Sequence, residues 1–191
     1  MASTAAARKS SPATAFPDPA KPSTRPRRQK DACDLLDADH KAVKAMFKEY
    51  ETLTESRSRS PTKKRQLADQ ICQALTVHTA LEEEIFYPAA RGAIKGKALM
   101  NEAMVEHASA RNLIAQIQGM DAGGEMFDAR VTVLGEYVDH HIKEERHEMF
   151  AKARKTRLDL VKLREIQERK QALMSEMQQP GSALRAVSTA L

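Results

Sequence analysis

Four apolar stripes at helical spacing run through this chain, and each is interrupted by a histidine. The first is Leu36, His40, Val43, Phe47 and Tyr50. The second is Leu67, Ile71, Leu75, His78, Glu82 and Ile85; the third is Met100, Ala103, His107, Ala110, Ile114 and Ile117; the fourth is Phe127, Val131, Leu134, Val138, His141, Glu145 and Met149. Apolar residues recurring at three- and four-residue intervals lie on one face of a helix and must be covered by other helices. Four such helices, joined by short connections, read as an antiparallel up-down four-helix bundle of the all-α class. The breaks agree. Ser56 to Pro61 stops the first helix, Pro61 suits the first turn of the second, and Pro88 with the Gly92/Gly96 loop ends it. Gly119 to Gly124 separates the third helix, expected from about 97 to 118, from the fourth, expected from about 125 to 151. Seven Gly and 4% aromatics in a chain rich in Ala, Leu, Glu and Lys favour helices over strands.

The histidines carry the chemistry. His78 is followed four residues later by Glu82 in HTALEEEIFYP, and His141 by Glu145 in HIKEERHEMFA. Four residues is just over one helical turn, so each pair projects from one face. A carboxylate inside a bundle is costly unless it is paired or bound to a cation, and two facing carboxylates repel. Imidazole and carboxylate converging from several helices make a site for iron, manganese or zinc. In an up-down bundle, the C-terminal halves of the second and fourth helices adjoin the N-terminal halves of the first and third. His40, His78, His107 and His141 can therefore share one layer. Singly, a histidine in an apolar stripe is usually a hydrogen-bonded core residue, and a His/Glu pair one turn apart is usually a surface pair; it is their repetition across four helices that points to a metal. Glu83, Glu84, Glu144 and Glu148 read as solvated, and His147 as exposed. A shifted register using His140 and Glu144 is the competing choice in the fourth helix; the Val131–Leu134–Val138 stripe favours His141 and Glu145.

These blocks resemble the hemerythrin family in its bacterial HHE cation-binding branch. The carriers are DADH with His40, HTALEEEIFYP, the Glu-His pair ending in His107, and HHIKEERHEMF, over about residues 31–152. The resemblance implies two non-haem irons, ahead of manganese or zinc. It implies His40, His78, His107 and His141 as terminal ligands, with Glu82 and Glu145 bridging. It also implies a small gas or peroxide as ligand: O₂, NO or H₂O₂ bound or sensed, or iron buffered. Two positions depart from the oxygen carriers. Arg111 stands where they place a further histidine one turn after His107, and Glu145 stands where they have aspartate. Glu83, a water or another side chain is then needed to complete one metal, and simple reversible oxygen carriage is not expected. No cysteine-bearing N-terminal domain like that of iron–sulfur repair relatives is expected.

The remainder of the chain divides by composition. Residues 1–30 carry seven basic residues against Asp18 alone, so the formal charge of +5 is a property of this tail. Rich in Ala, Ser and Pro, it is expected to be disordered. It offers salt-dependent phosphate contacts, which makes a nucleic-acid-associated stress protein one alternative function; a di-iron oxidase or peroxidase is another, though no separate acid–base pair or substrate motif supports an enzyme. Residues 153–179 read as an amphipathic helix with Leu160, Leu163, Ile166, Leu173 and Met177, packing on the bundle or joining a partner copy, and residues 180–191 as a flexible tail. No apolar run reaches the length of a membrane span, and the two cysteines show no disulfide framework. A cytoplasmic location with reduced thiols is expected.

Overall fold

The computed structural model describes residues 30–56, 60–94, 97–156 and 160–179. The expected disorder of the N-terminal tail and fraying of residues 180–191 concern segments outside these, as do the side chains of Leu160 and Leu163. Among the described residues the structure is helical: α1 (Ala32–Glu55), α2 (Pro61–Leu81), a π-helical segment (Glu82–Phe86), α3 (Tyr87–Ala93), α4 (Lys97–Gly119), α5 (Phe127–Glu144), a second π-helical segment (Glu145–Met149), α6 (Phe150–Lys155) and α7 (Leu160–Met177). None of these helices is long and apolar enough to cross a membrane.

Helix α1 begins in a reciprocal cap. Asp31 Oδ1 accepts from the Asp34 backbone N–H at 2.8 Å, and Asp34 Oδ2 accepts from the Asp31 N–H at 3.0 Å, which satisfies two of the donors a helix start leaves open. Pro61 opens α2 behind Ser60, as its missing N–H allows. At the far end of α4, Arg65 donates to the carbonyls of Gln118 and Met120, each at 3.0 Å. That side chain from α2 thereby closes the C-terminus of α4.

Helices α1, α2, α4 and α5 pack in a ring, and their stripes form two apolar clusters. One holds Leu36, Leu81, Phe86, Met100, Ala103, Met149 and Phe150. The other holds Val43, Leu75, Ile71, Ala110, Ile114, Phe127, Leu134 and Val138. Along α1 and α4 the chain passes from the first cluster to the second; along α2 and α5 it passes from the second to the first. This alternation is the up-down topology expected from the stripes. Every histidine of the four stripes falls at the crossing between clusters, so a polar layer separates two dry ones.

The second and fourth stripes run on further than expected. Pro88 does not end the second; it sits in the first turn of α3, directly after the π-helical segment in which the Tyr87 N–H reaches back to the Glu82 carbonyl. The wider turn gives room to a ring that a tight α-turn would press against a carbonyl. The second π segment contains no proline, and there the Phe150 N–H reaches back to Glu145. What the two share is their first residue: each opens on the glutamate of a His-x-x-x-Glu block.

Helix α7 lies on α1, α2 and the first π segment. Ile166 is fully buried against Leu36 and its neighbours. Arg169 holds Glu84 through two nitrogens, at 2.7 and 3.1 Å, and Lys170 pairs with Asp39.

Candidate metal centre

The polar layer brings together all six residues singled out by the sequence. His40, His78, Glu82, His107, His141 and Glu145 are all buried, none more than 8% exposed. One ligand atom from each of His40, His78, Glu82 and Glu145 lies within 4.8 Å of the others, and the same holds for Glu82, His107 and His141. Glu82 belongs to both groups, with one oxygen turned to each. Its Oε1 lies 3.0 Å from His78 Nε2 and 3.9 Å from His40 Nε2. Its Oε2 lies 3.3 Å from His107 Nε2 and 3.9 Å from His141 Nε2. Glu145 Oε2 lies 3.2 Å from His40 Nε2.

Few of these contacts are hydrogen bonds. Among the described residues, both nitrogens of His40 and of His78, Glu82 Oε1 and both oxygens of Glu145 are buried without a hydrogen-bond partner, although His78 Nε2 and Glu82 Oε1 are only 3.0 Å apart. Buried polar atoms are almost always paired, and leaving one unpaired costs about 1–3 kcal/mol. Of these, His40 Nε2, His78 Nε2 and Glu82 Oε1 lie together with Glu145 Oε2, and a cation fits among them as the shared partner. The donor set of imidazole nitrogens and carboxylate oxygens suits iron, manganese or zinc.

Electrostatics of the bare site agree. Burial alone would raise the Glu82 carboxyl, but the neighbouring histidines, His78 foremost, outweigh it and hold the group ionised, well below the usual range. Burial and then the Glu82 charge push the Glu145 carboxyl well above it. Two carboxylates this close cannot both carry charge without a counter-ion. Burial, aided by the charge of His78, drives His40 down to about 3. His78 and His141 resist burial and rise to about 9, the former through Glu82 and Asp39, the latter through Glu106 and Glu82.

A second ring of carboxylates orients the imidazoles. Glu83 Oε1 lies 2.8 Å from His107 Nδ1 and accepts from Arg111 Nη1 at 2.6 Å. Glu106 Oε2 lies 2.8 Å from His141 Nδ1. Asp39 Oδ2 is 4.0 Å from His78 Nδ1 and paired on its other side by Lys170. The Glu83 and Glu106 contacts fix ring orientation and raise ligand basicity, while Asp39 acts on His78 through its charge alone. The expectation that Glu83 is solvated is thus corrected: it is half-buried, because a charged partner on each side offsets its desolvation. Glu84 and Glu148 are exposed, Glu144 half-exposed, and His140 and His147 lie on the outer face. His140 contacts Glu144 at 3.3 Å, away from the buried layer, so the register that centres on His141 is the one the fold builds inward.

Tyr87 is the site neighbour that the stripes do not reveal. Its hydroxyl lies 3.4 Å from both Glu82 Oε2 and His107 Nε2, and its ring stacks on that of His107 with centroids 5.6 Å apart. It follows the motif by a π turn, so α-helical spacing from Glu82 misplaces it. The Tyr-Pro that closes HTALEEEIFYP was the available signal.

Residues 31–153 match the hemerythrin HHE cation binding domain. The DNA nickase of Nostoc sp. is 30% identical over 121 residues, which make up 63% of this chain and 33% of the nickase; the chain spans a third of that protein's length. The crystal structure of a hemerythrin HHE cation binding domain-containing protein from Mycobacterium kansasii matches at a TM-score of 0.65 and 17% identity, covering 85% of this chain and all of that one, a likeness of fold.

Proposed function

The chain belongs to the hemerythrin HHE cation-binding domain family, and on that premise we propose that its bundle, residues 31–152, holds two non-haem irons and binds or senses O₂, NO or peroxide. His40 and His78 would hold one iron and His107 and His141 the other, with Glu82 offering one oxygen to each side and Glu145 the further carboxylate. Ferrous iron held there would supply electrons to a small oxidant. Iron buffering by the same residues is the nearest variant. Arg111 cannot ligate while its guanidinium is charged, and Tyr87 is the hydroxyl best placed to complete the His107 side.

The observation that carries the gas or peroxide reading is a small cavity beside the histidines. Val43, Leu75, Ala110, Val138 and Ile142 make its walls mainly apolar, His40, His78, His107 and His141 meet it, and Thr79 and Glu106 also border it. Its walls favour a small, weakly hydrated molecule over a charged one. Tyr137, half exposed, stands at its rim. The protein's part in the chemistry is to fix the imidazoles of His107 and His141 through Glu83 and Glu106, and to keep bulk water away. The test is iron content with an optical spectrum before and after exposure of the reduced protein to O₂, NO and H₂O₂. The reading requires a change with at least one of them; no change with any would leave iron buffering in its place.

A second reading is favoured by the likeness to a DNA nickase. The basic residues of segment 1–30 would supply sequence-independent phosphate contacts in a cytoplasmic, nucleic-acid-associated protein. Loss of DNA retention on deleting residues 1–30, with iron content unchanged, would assign that function to the tail.

A further inference from the structure

The six proposed ligands are nearly sealed. On the α4/α5 face a different kind of opening is present. His140 Nε2 lies 3.3 Å from Glu144 Oε1 and 3.7 Å from Glu106 Oε1, and the three residues offer ligand atoms within 4.8 Å of one another. Two carboxylates and an imidazole at that spacing make a coordination set for a divalent cation. Unlike the buried groups, this one is reachable: the His140 side chain is 64% exposed.

The surface set is joined to the centre by its own residues. Glu106 turns one oxygen to His140 and the other, 2.8 Å away, to His141 Nδ1. Glu144 immediately precedes Glu145. A cleft of about 10 Å³, the scale of one water-sized sphere, is lined by Glu106, Glu144, His141 and Glu145 together with Leu99 and Met149. Glu145 is 2% exposed, and both its oxygens lack hydrogen-bond partners among the described residues. The cleft thus sets two carboxylates of the surface set, Glu106 and Glu144, beside two of the proposed buried ligands, His141 and Glu145.

We propose that Glu106, His140 and Glu144 form an acquisition site for a divalent cation, which passes from it along this cleft to Glu145 and the buried centre. The proposal rests on the dinuclear reading above. Glu106 has two tasks, receiving the cation and orienting His141, whereas His140 and Glu144 have only the first.

The test is the rate of metal uptake, separated from its extent. Metal-free full-length protein is mixed with Co²⁺ in a stopped-flow spectrometer, and cobalt content is measured after equilibration. The doubly substituted His140→Ala/Glu144→Gln chain is expected to load about tenfold more slowly, the lower end of what electrostatic focusing supplies. Its final cobalt content should equal that of the unsubstituted chain, and its rate should depend less on salt. A control bearing Glu51→Gln and Glu55→Gln, which removes exposed carboxylates from the opposite end of α1, should load normally. Equal rates in the double variant and the unsubstituted chain would overturn the proposal, and so would equal slowing in the control. If the double variant misfolds, His140→Gln alone is read by the same criteria. An unsubstituted chain that holds no cobalt at equilibrium would refute the dinuclear reading instead, a result distinct from normal loading at an unaltered rate.

Discussion

Arg111 Nη1 donates to Glu83 Oε1 at 2.6 Å, and that same oxygen lies 2.8 Å from His107 Nδ1. The arginine therefore acts on the site at one remove, by holding the carboxylate that holds the imidazole. Arg111→Met is expected to keep both metals but to weaken the one on the His107 side by about 10- to 100-fold, the usual cost of losing an outer partner of a metal-ligating histidine. A competitive chelator titration would show one normal and one weakened site. Two unchanged affinities would mean that the Arg111–Glu83 pair is only a surface contact.

Tyr87 provides a separate prediction. Burial and the charge of Glu82 hold its hydroxyl protonated, well above the usual phenol range, and a bound ferric ion would oppose that by favouring the phenolate. An iron-loaded chain should then show a visible phenolate-to-iron absorption band that Tyr87→Phe abolishes without unfolding the protein. Persistence of such a band in the variant would assign it elsewhere; its absence in both would restrict Tyr87 to packing on His107.

The register of the fourth helix can be read in metal content. His141→Ala and His78→Ala should each lower bound iron and lower the melting temperature together, because ligation is coupled to folding. His140→Ala should leave iron at equilibrium near normal. The reverse pattern would move the site to His140 and Glu144.

Both thiols are buried, and burial pushes Cys33 and Cys72 up to about 12. At pH 8 a folded chain should react negligibly with a thiol reagent, since the thiolate is the reactive form, and should release two equivalents on denaturation. Because the folded value is raised, the preference for the folded state contributed by these thiols is fully present below about pH 8.5 and declines as pH rises toward 12. Rapid reaction of either cysteine in the native protein at pH 8 would show that its helix opens readily.

The bundle and its ligand layer were legible because both depend on spacing. His40 falls between Leu36 and Val43, and His107 between Ala103 and Ala110, so the periodicity that buries the apolar residues buries the histidines too. The HTALEEEIFYP and HHIKEERHEMF blocks carried the family resemblance, which residues 31–153 bear out. What spacing could not show was where the period changes. The π segments that open at Glu82 and Glu145 place Tyr87 against His107 and carry the second helix past Pro88. Nor could it show the outer carboxylates. Glu83, Glu106 and Asp39 look like ordinary charged positions on their own helices. Their roles come from contacts with residues 24, 35 and 39 positions away, and α7 adds its hold on Asp39 from 131 positions away.

The central claim is that one carboxylate, Glu82, serves two metal ions through its two oxygens, and iron analysis of the Glu82→Ala chain beside the unsubstituted one tests it most directly. The account predicts two irons per unsubstituted chain and loss of both in Glu82→Ala, with the helical content retained by circular dichroism at low temperature. A single iron in the unsubstituted chain, or two in the variant, would contradict it.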